Sequence, residues 1–290
     1  MTTRRPTGPT LFAELAIVAA TAGLVGVVAY AFAADPPPTE LASAAGDAAG
    51  SGTGTAIDLD DGAVADPDAT ADEIVGAAAD AMGAVTSVEF RLERRGTPVF
   101  IDEFQSIALD SMIGQFVVPG RAAAQLQVTV DGNLATKIGA VAVDDEVWMS
   151  NPVTGDFEPL PAGIDIDPAR FFDPTGGWQP LLANLEDVEV IGIEDRGGDR
   201  YHVRGVAPAA EVANITVGLV NDQDVVVDLW IHPGTDLVTA LEFSTTIDGA
   251  ASQWVLELGR YGESFTIRPP ANVSGDPGTD TSSDTSGSGT

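Results

Sequence analysis

The side chains able to do chemistry offer few combinations. There are two histidines, His202 and His232. The local pattern puts them on different strands, the second on a polar face at a turn. A metal site wants several ligands at close spacing, so both read as surface histidines. The chain has no cysteine, which removes thiolate ligands, thiol nucleophiles and disulfides together. It has no G-x-S-x-G elbow and no H-E-x-x-H pair. No glycine-rich phosphate cradle sits between a strand and a helix. The acidic run DLDDGAVADPDATADE, Asp58 to Glu73, invites a calcium reading. An EF-hand loop needs glycine at its sixth position, and Gly62 falls fifth from Asp58. Carboxylates abound, yet no two stand apart as an acid–base pair. The sequons Asn214-Ile215-Thr216 and Asn272-Val273-Ser274 are too short to carry weight. These residues point away from an enzyme and call for no metal or cofactor.

Charge narrows the partners further. There are 44 acidic residues against 13 basic ones, a net of −31. Lys137 is the one lysine. Such a surface repels phosphate backbones and anionic lipid headgroups, so nucleic-acid binding and passive membrane adsorption are disfavoured. Its simplest effect is solubility.

The apolar residues must therefore carry the function. Arg4 and Arg5 precede an uncharged run from Leu15 to Ala34. That run is about 20 residues long, enough for a helix of ~30 Å and one bilayer crossing. It is longer than the usual secretory core of ~7–15 residues. Positive charge on the short side places the start of the chain in the cytoplasm and the rest outside it. Length favours an uncleaved anchor over residues 15–34. The small-x-small site Ala31-Phe32-Ala33 keeps cleavage and secretion as the other reading. Four segments follow: 1–34 as stub and anchor or signal, 35–69 as a disordered acidic linker, 70–271 as the folded domain, and 272–290 as a disordered tail.

Thr70-Ala71-Asp72-Glu73 has the pattern of a capping box. Ile74, Val75, Ala78, Met82 and Val85 follow at helical spacing. Period-two alternation then takes over. Val88, Phe90 and Leu92 face one way, as do Ala124, Leu126, Val128 and Val130. The same holds for Val225, Val227, Leu229 and Ile231, for Leu237, Thr239, Leu241 and Phe243, and for Trp254, Leu256 and Leu258. Turns are expected at Asp131-Gly132-Asn133, Arg196-Gly197-Gly198-Asp199, Pro233-Gly234-Thr235 and Asp248-Gly249. Three short helices interrupt the strands. One opens at Asp167-Pro168 and carries Phe171 and Phe172, one covers about 177–185, and one covers 208–214. The class is α+β, an antiparallel sheet with one covered face.

The stretches AAADAMGAVTSVEFRLE, VAVDDEVWMS, DPARFFDPTGGWQPLLANLEDVEV, VVVDLWIHPGTDLVTALEF and LGRYGESFTIRPP resemble the LppX/LprG-type (LppX_LprAFG) lipoprotein family. The likeness runs from Ala71 to Ala271. It implies a strongly curved antiparallel half-barrel with helices packed on its concave face and an apolar lipid cavity between them. It implies no catalysis. It implies a carrier of acylated lipids or glycolipids between envelope layers, working with a membrane lipid transporter. Family members hang from a lipidated cysteine, which this chain lacks. A helix at 15–34 would replace that tether on the extracytoplasmic face. The expected cavity wall is Val88, Phe90, Leu92, Leu126, Val128, Val130, Phe171, Phe172, Trp178, Leu181, Leu182, Leu185, Leu229, Leu241, Phe243 and Leu256. A carrier calls for an apolar void of several hundred Å3. The other reading is an envelope interaction or sensory module with a filled core.

Overall fold

The computed structural model of the 290-residue chain describes residues 56–59, 62–102, 104–144, 146–152, 154–160, 176–216 and 218–273. The expected anchor at 15–34 and the helix carrying Phe171 and Phe172 lie outside the described residues, as do 274–290 of the expected tail. Among the described residues, no helix is long and apolar enough to cross a membrane.

Helix α1 spans Ala71–Gly83. Its capping box is present: the Glu73 backbone N–H donates to Thr70 Oγ1, and the Thr70 N–H donates to Glu73 Oε2 at 3.1 Å. The Thr70 hydroxyl also donates to Glu73 Oε2 at 2.7 Å, and this bond first, then the one from the Thr70 N–H, holds the Glu73 carboxyl below its ordinary range. Ile74, Val75, Ala78, Ala79 and Met82 are buried. Val85 lies past the helix end, half-buried against the same core.

Six strands follow as a meander: β1 (Ser87–Gly96), β2 (Ile107–Val117), β3 (Arg121–Val130), β4 (Leu134–Val143), β5 (Glu146–Ser150) and β6 (Phe157–Pro159). Helix α2 (Trp178–Ala183) leads to a second meander: β7 (Glu186–Asp195), β8 (Asp199–Ala207), β9 (Val225–Ile231), β10 (Val238–Ile247) and β11 (Ala250–Gly259). Helix α3 (Ala209–Ile215) sits between β8 and β9. The sheet order is β6-β5-β4-β3-β2-β1-β11-β10-β9-β8-β7, and all ten named pairings are antiparallel. The first and last strands thus meet at the centre, Phe90 opposite Leu258 and Leu92 opposite Leu256. The result is an open, curved sheet of 11 strands with few helices, consistent with the expected half-barrel.

Topology explains the position of α2. The chain leaves the sheet at one edge, β6, and re-enters at the opposite edge, β7. Of the residues between the two edges, α2 is described, and it lies on the apolar face. Trp178, Leu181 and Leu182 on α2 are buried in the same cluster as Val128, Leu229 and Leu241. The expected helix at 177–185 is real but shorter, with Gly177 as N-cap and Leu185 beyond its end. The one expected at 208–214 is α3, capped by Pro208. The turns fall where glycine allows them, as at Gly197 (φ 75°) and Gly198 (φ 118°) between β7 and β8.

Alternation is interrupted where strands bulge, as on β2 between Leu109 and Ser111, where Ala108 and Leu109 are buried in succession. On β10 a register shift between Val238 and Ala240 buries Leu237 and Val238 in succession. Thr239 is consequently not in line with Leu241 and Phe243; it is half-buried, and its hydroxyl donates to the Trp230 carbonyl at 3.1 Å. On β1 the inward series continues through Arg94, which is buried. Its Nε donates to the Leu109 carbonyl, and its Nη1 donates to the Thr97 carbonyl and Ser252 Oγ. Carbonyl partners let the guanidinium sit where a leucine would.

Both ends of the domain are tied to the sheet. Upstream of α1, the Ile57 N–H donates to the Tyr261 carbonyl at 2.9 Å. The Asp66 N–H donates to Tyr201 Oη at 2.7 Å, so this part of the expected linker is docked. After β11 the chain covers the outer face of the first meander. Ile267 packs there with Val141, Val143 and Trp148, and the Phe157 N–H donates to the Asn272 carbonyl.

Candidate functional site

The inner face of the sheet is lined by small residues at successive inward positions: Ala122 and Ala124 on β3, Ala140 and Ala142 on β4. Gly114 on β2 continues the series, and the Phe90 ring lies over it. A Cβ at Gly114 would stand 2.5 Å from Phe90 Cζ. Ala124 and Ala140 of this series border a gap between the sheet and the elements packed on it. An apolar cavity of about 100 Å3 remains.

Seven expected wall residues line it: Phe90, Leu92, Leu126, Trp178, Leu241, Phe243 and Leu256. Val88, Val128, Leu181, Leu182 and Leu229 do not. They are buried at 0–1% exposure in close-packed core. Val130 and Leu185 pack at the margin of that core. Phe171 and Phe172 lie outside the described residues.

Sequence reasoning missed the rest of the wall. On the strands these are Leu109, Met112, Ala124, Ala140, Val147, Met149, Trp254 and Leu258; Ile101, Leu160, Thr216 and Leu219 complete it from connections and the end of α3. Ala124, Trp254 and Leu258 already belonged to the inward series, and the paired alanines of β3 and β4 were the available signal for a space.

The lining is chemically uniform. Among the described residues no lining side chain ionises, and the one lining hydroxyl, Thr216 Oγ1, is engaged. It donates to the Val212 carbonyl at 2.8 Å and accepts from the Val220 N–H at 3.1 Å. Phe243 and Trp254 stack at 5.6 Å between ring centroids. The Trp254 indole N–H is turned away to Thr245 Oγ1 at 3.0 Å. Met112 and Met149 add adaptable side chains. Such a wall offers dispersion and the hydrophobic effect, and no polar handle. An engineered cavity of ~150 Å3 takes a benzene. The present one, at about 100 Å3, is smaller than that and smaller than the several hundred Å3 expected of a carrier.

The titratable residues gather on the opposite face. His202 and His232 are 7% and 1% exposed, which corrects the expectation of surface histidines. The His202 nitrogens lie 2.7 Å from Glu194 Oε1 and 2.7 Å from Asp228 Oδ1. Its ring stacks on Trp230 at 4.6 Å, and the Arg196 guanidinium covers the other part of that indole at 3.6 Å. The Trp230 N–H donates to Glu194 Oε2 at 2.8 Å. That bond is the largest effect holding the Glu194 carboxyl below its ordinary 4.5, aided by His202 and Arg196. His232 Nδ1 accepts from the N–H groups of Gly234 and Thr235, bracing the β9–β10 turn. Both histidines act as structural cross-links whose partners lie far apart in sequence or in the turn itself.

Residues 70–267 match the family model described as LppX_LprAFG lipoprotein. None of the curated proteins compared with the chain matches it. Among solved structures, LprF from Mycobacterium bovis is similar with a TM-score of 0.56 at 16% identity, covering 69% of this chain and 96% of that one. The lipoprotein LppX from Mycobacterium tuberculosis has a TM-score of 0.48 at 16% identity, covering 67% and 96%. At this identity the likeness to LprF establishes a common fold.

Proposed function

The chain belongs to the LppX_LprAFG lipoprotein family, and from that membership we propose that it is a non-enzymatic lipid carrier of the cell envelope. It takes the hydrocarbon of an acylated lipid or glycolipid into the cavity between the sheet and α2. The observation that carries this reading is the wall itself: apolar throughout, with its single hydroxyl already bonded. Each methylene removed from water there contributes about 0.8 kcal/mol. The headgroup stays outside, since no lining group could bind it. A helix over residues 15–34 holds the carrier at the extracytoplasmic face, in place of the lipidated cysteine that the sequence lacks. A membrane lipid transporter supplies or receives the cargo.

The cavity volume of about 100 Å3 bears on how loading occurs. Uptake of a full acyl chain requires α2 to lift from the sheet, with Met112 and Met149 reshaping the wall. The same small volume favours a second reading, an envelope interaction module with a nearly filled core. Quenching of tryptophan fluorescence by a brominated fatty acid separates the two. Trp178 and Trp254 line the cavity, so saturable quenching is expected, and Ala140→Phe should weaken uptake by about tenfold or more through lost space. Absence of quenching, or equal uptake by Ala140→Phe, supports the filled-core reading.

A further inference from the structure

The two edges of the sheet are treated differently. At one end, β6 is three residues long and is met by the C-terminal segment through Phe157 and Asn272. At the other, β7 is ten residues long and pairs with β8 alone among the described residues. A strand of that length presents a row of unpaired backbone donors and acceptors. Val190, Ile191 and Ile193 on it are 38%, 43% and 41% exposed. Acids flank them: Glu186, Asp187 and Glu189 before, Glu194 and Asp195 after, with no basic residue in the strand. Glu194 is turned to Trp230 and His202 and Asp195 accepts from the Gly198 N–H at 3.0 Å in the β7–β8 turn, leaving Glu186, Asp187 and Glu189 at the edge.

These charges select what can pair there. A second copy would set acids against acids in either orientation, because both ends of β7 are acidic, and like charges directly opposite each other destabilise a strand pair. The chain's own remaining segments fit no better. Residues 1–34 carry Arg4 and Arg5 on one side of their apolar run only, with Glu14 between; 35–55 and 274–290 contain no Lys or Arg, and 161–175 has Arg170 against Asp165, Asp167 and Asp173. A strand with apolar residues at its middle and Lys or Arg at its ends meets every requirement. We propose that β7 is a docking edge for such a basic–apolar–basic segment of a partner protein, which adds to the sheet as a further strand. The net charge of −31 steers the partner inward, and the edge charges reject copies of the chain itself.

The test is hydrogen exchange on the full chain with three synthetic peptides: KRVTVTVTKR, its acidic counterpart EDVTVTVTED, and KRVTVTVTKR methylated on alternate backbone amides. The basic peptide should slow exchange in residues 186–195 and nowhere else in the sheet. The acidic and methylated peptides should not. Glu186→Lys combined with Glu189→Lys should weaken the basic peptide by about tenfold or more with an unchanged unfolding midpoint. Protection that is absent, spread over the acidic surface, or equal for the methylated peptide would overturn the proposal. So would dimerisation of the chain through β7.

Discussion

Position 114 leaves no room for a side chain. Besides meeting Phe90 Cζ, a Cβ there would lie 2.7 Å from the Ala123 carbonyl oxygen and 2.9 Å from the Ala124 Cβ. Gly114→Ala should push the Phe90 ring toward the cavity, costing about 1–3 kcal/mol of overpacking and reducing hydrocarbon uptake. Thermal unfolding and brominated-lipid quenching would read the two effects, and a variant unchanged in both contradicts the packing described. Glu194 makes a prediction in pH. Its folded pKa is depressed, so its stabilisation is complete above the ordinary 4.5 and is lost as the pH falls through the lower folded value. Glu194→Gln should melt earlier than the parent chain near neutrality, with the gap closing below about pH 4.5. A gap that does not change with pH places the effect in packing alone. Single residues were also where sequence reading was weakest. His202 and His232 read as surface histidines; each is buried because its partners come from other strands or from turn geometry.

Helices and strands were largely legible. The capping box of α1, the inward series of β3 and β9 and the glycine turns are local patterns, and local patterns survive folding. What was not legible depends on pairing. The bulge on β10 shifts Thr239 out of the inward row. Of the inward apolar residues, alternation could not separate those that line a space from those that fill one. Val128 and Leu126 lie two residues apart on one strand face; the first is close-packed and the second faces the cavity. The difference lies in what stands opposite, which depends on tertiary packing of elements such as α2. The cap of α1 gives the prediction proper to this scale. Thr70→Ala removes the acceptor of the Glu73 N–H and should cost about 1 kcal/mol. Chemical denaturation would check it. No loss of stability would mean that packing of Ile74, Val75 and Met82 alone sets the helix start.

The described domain is a sheet whose first and last strands meet at its middle and whose inner face keeps an apolar space. We propose that this space is for lipid. Native mass spectrometry of the full chain, purified from its own host, tests it most directly. The predicted result is a second mass above the bare chain that disappears on organic extraction and returns when an acylated lipid is offered. A bare mass that takes up no offered lipid would contradict the carrier and leave a filled-core interaction module in its place.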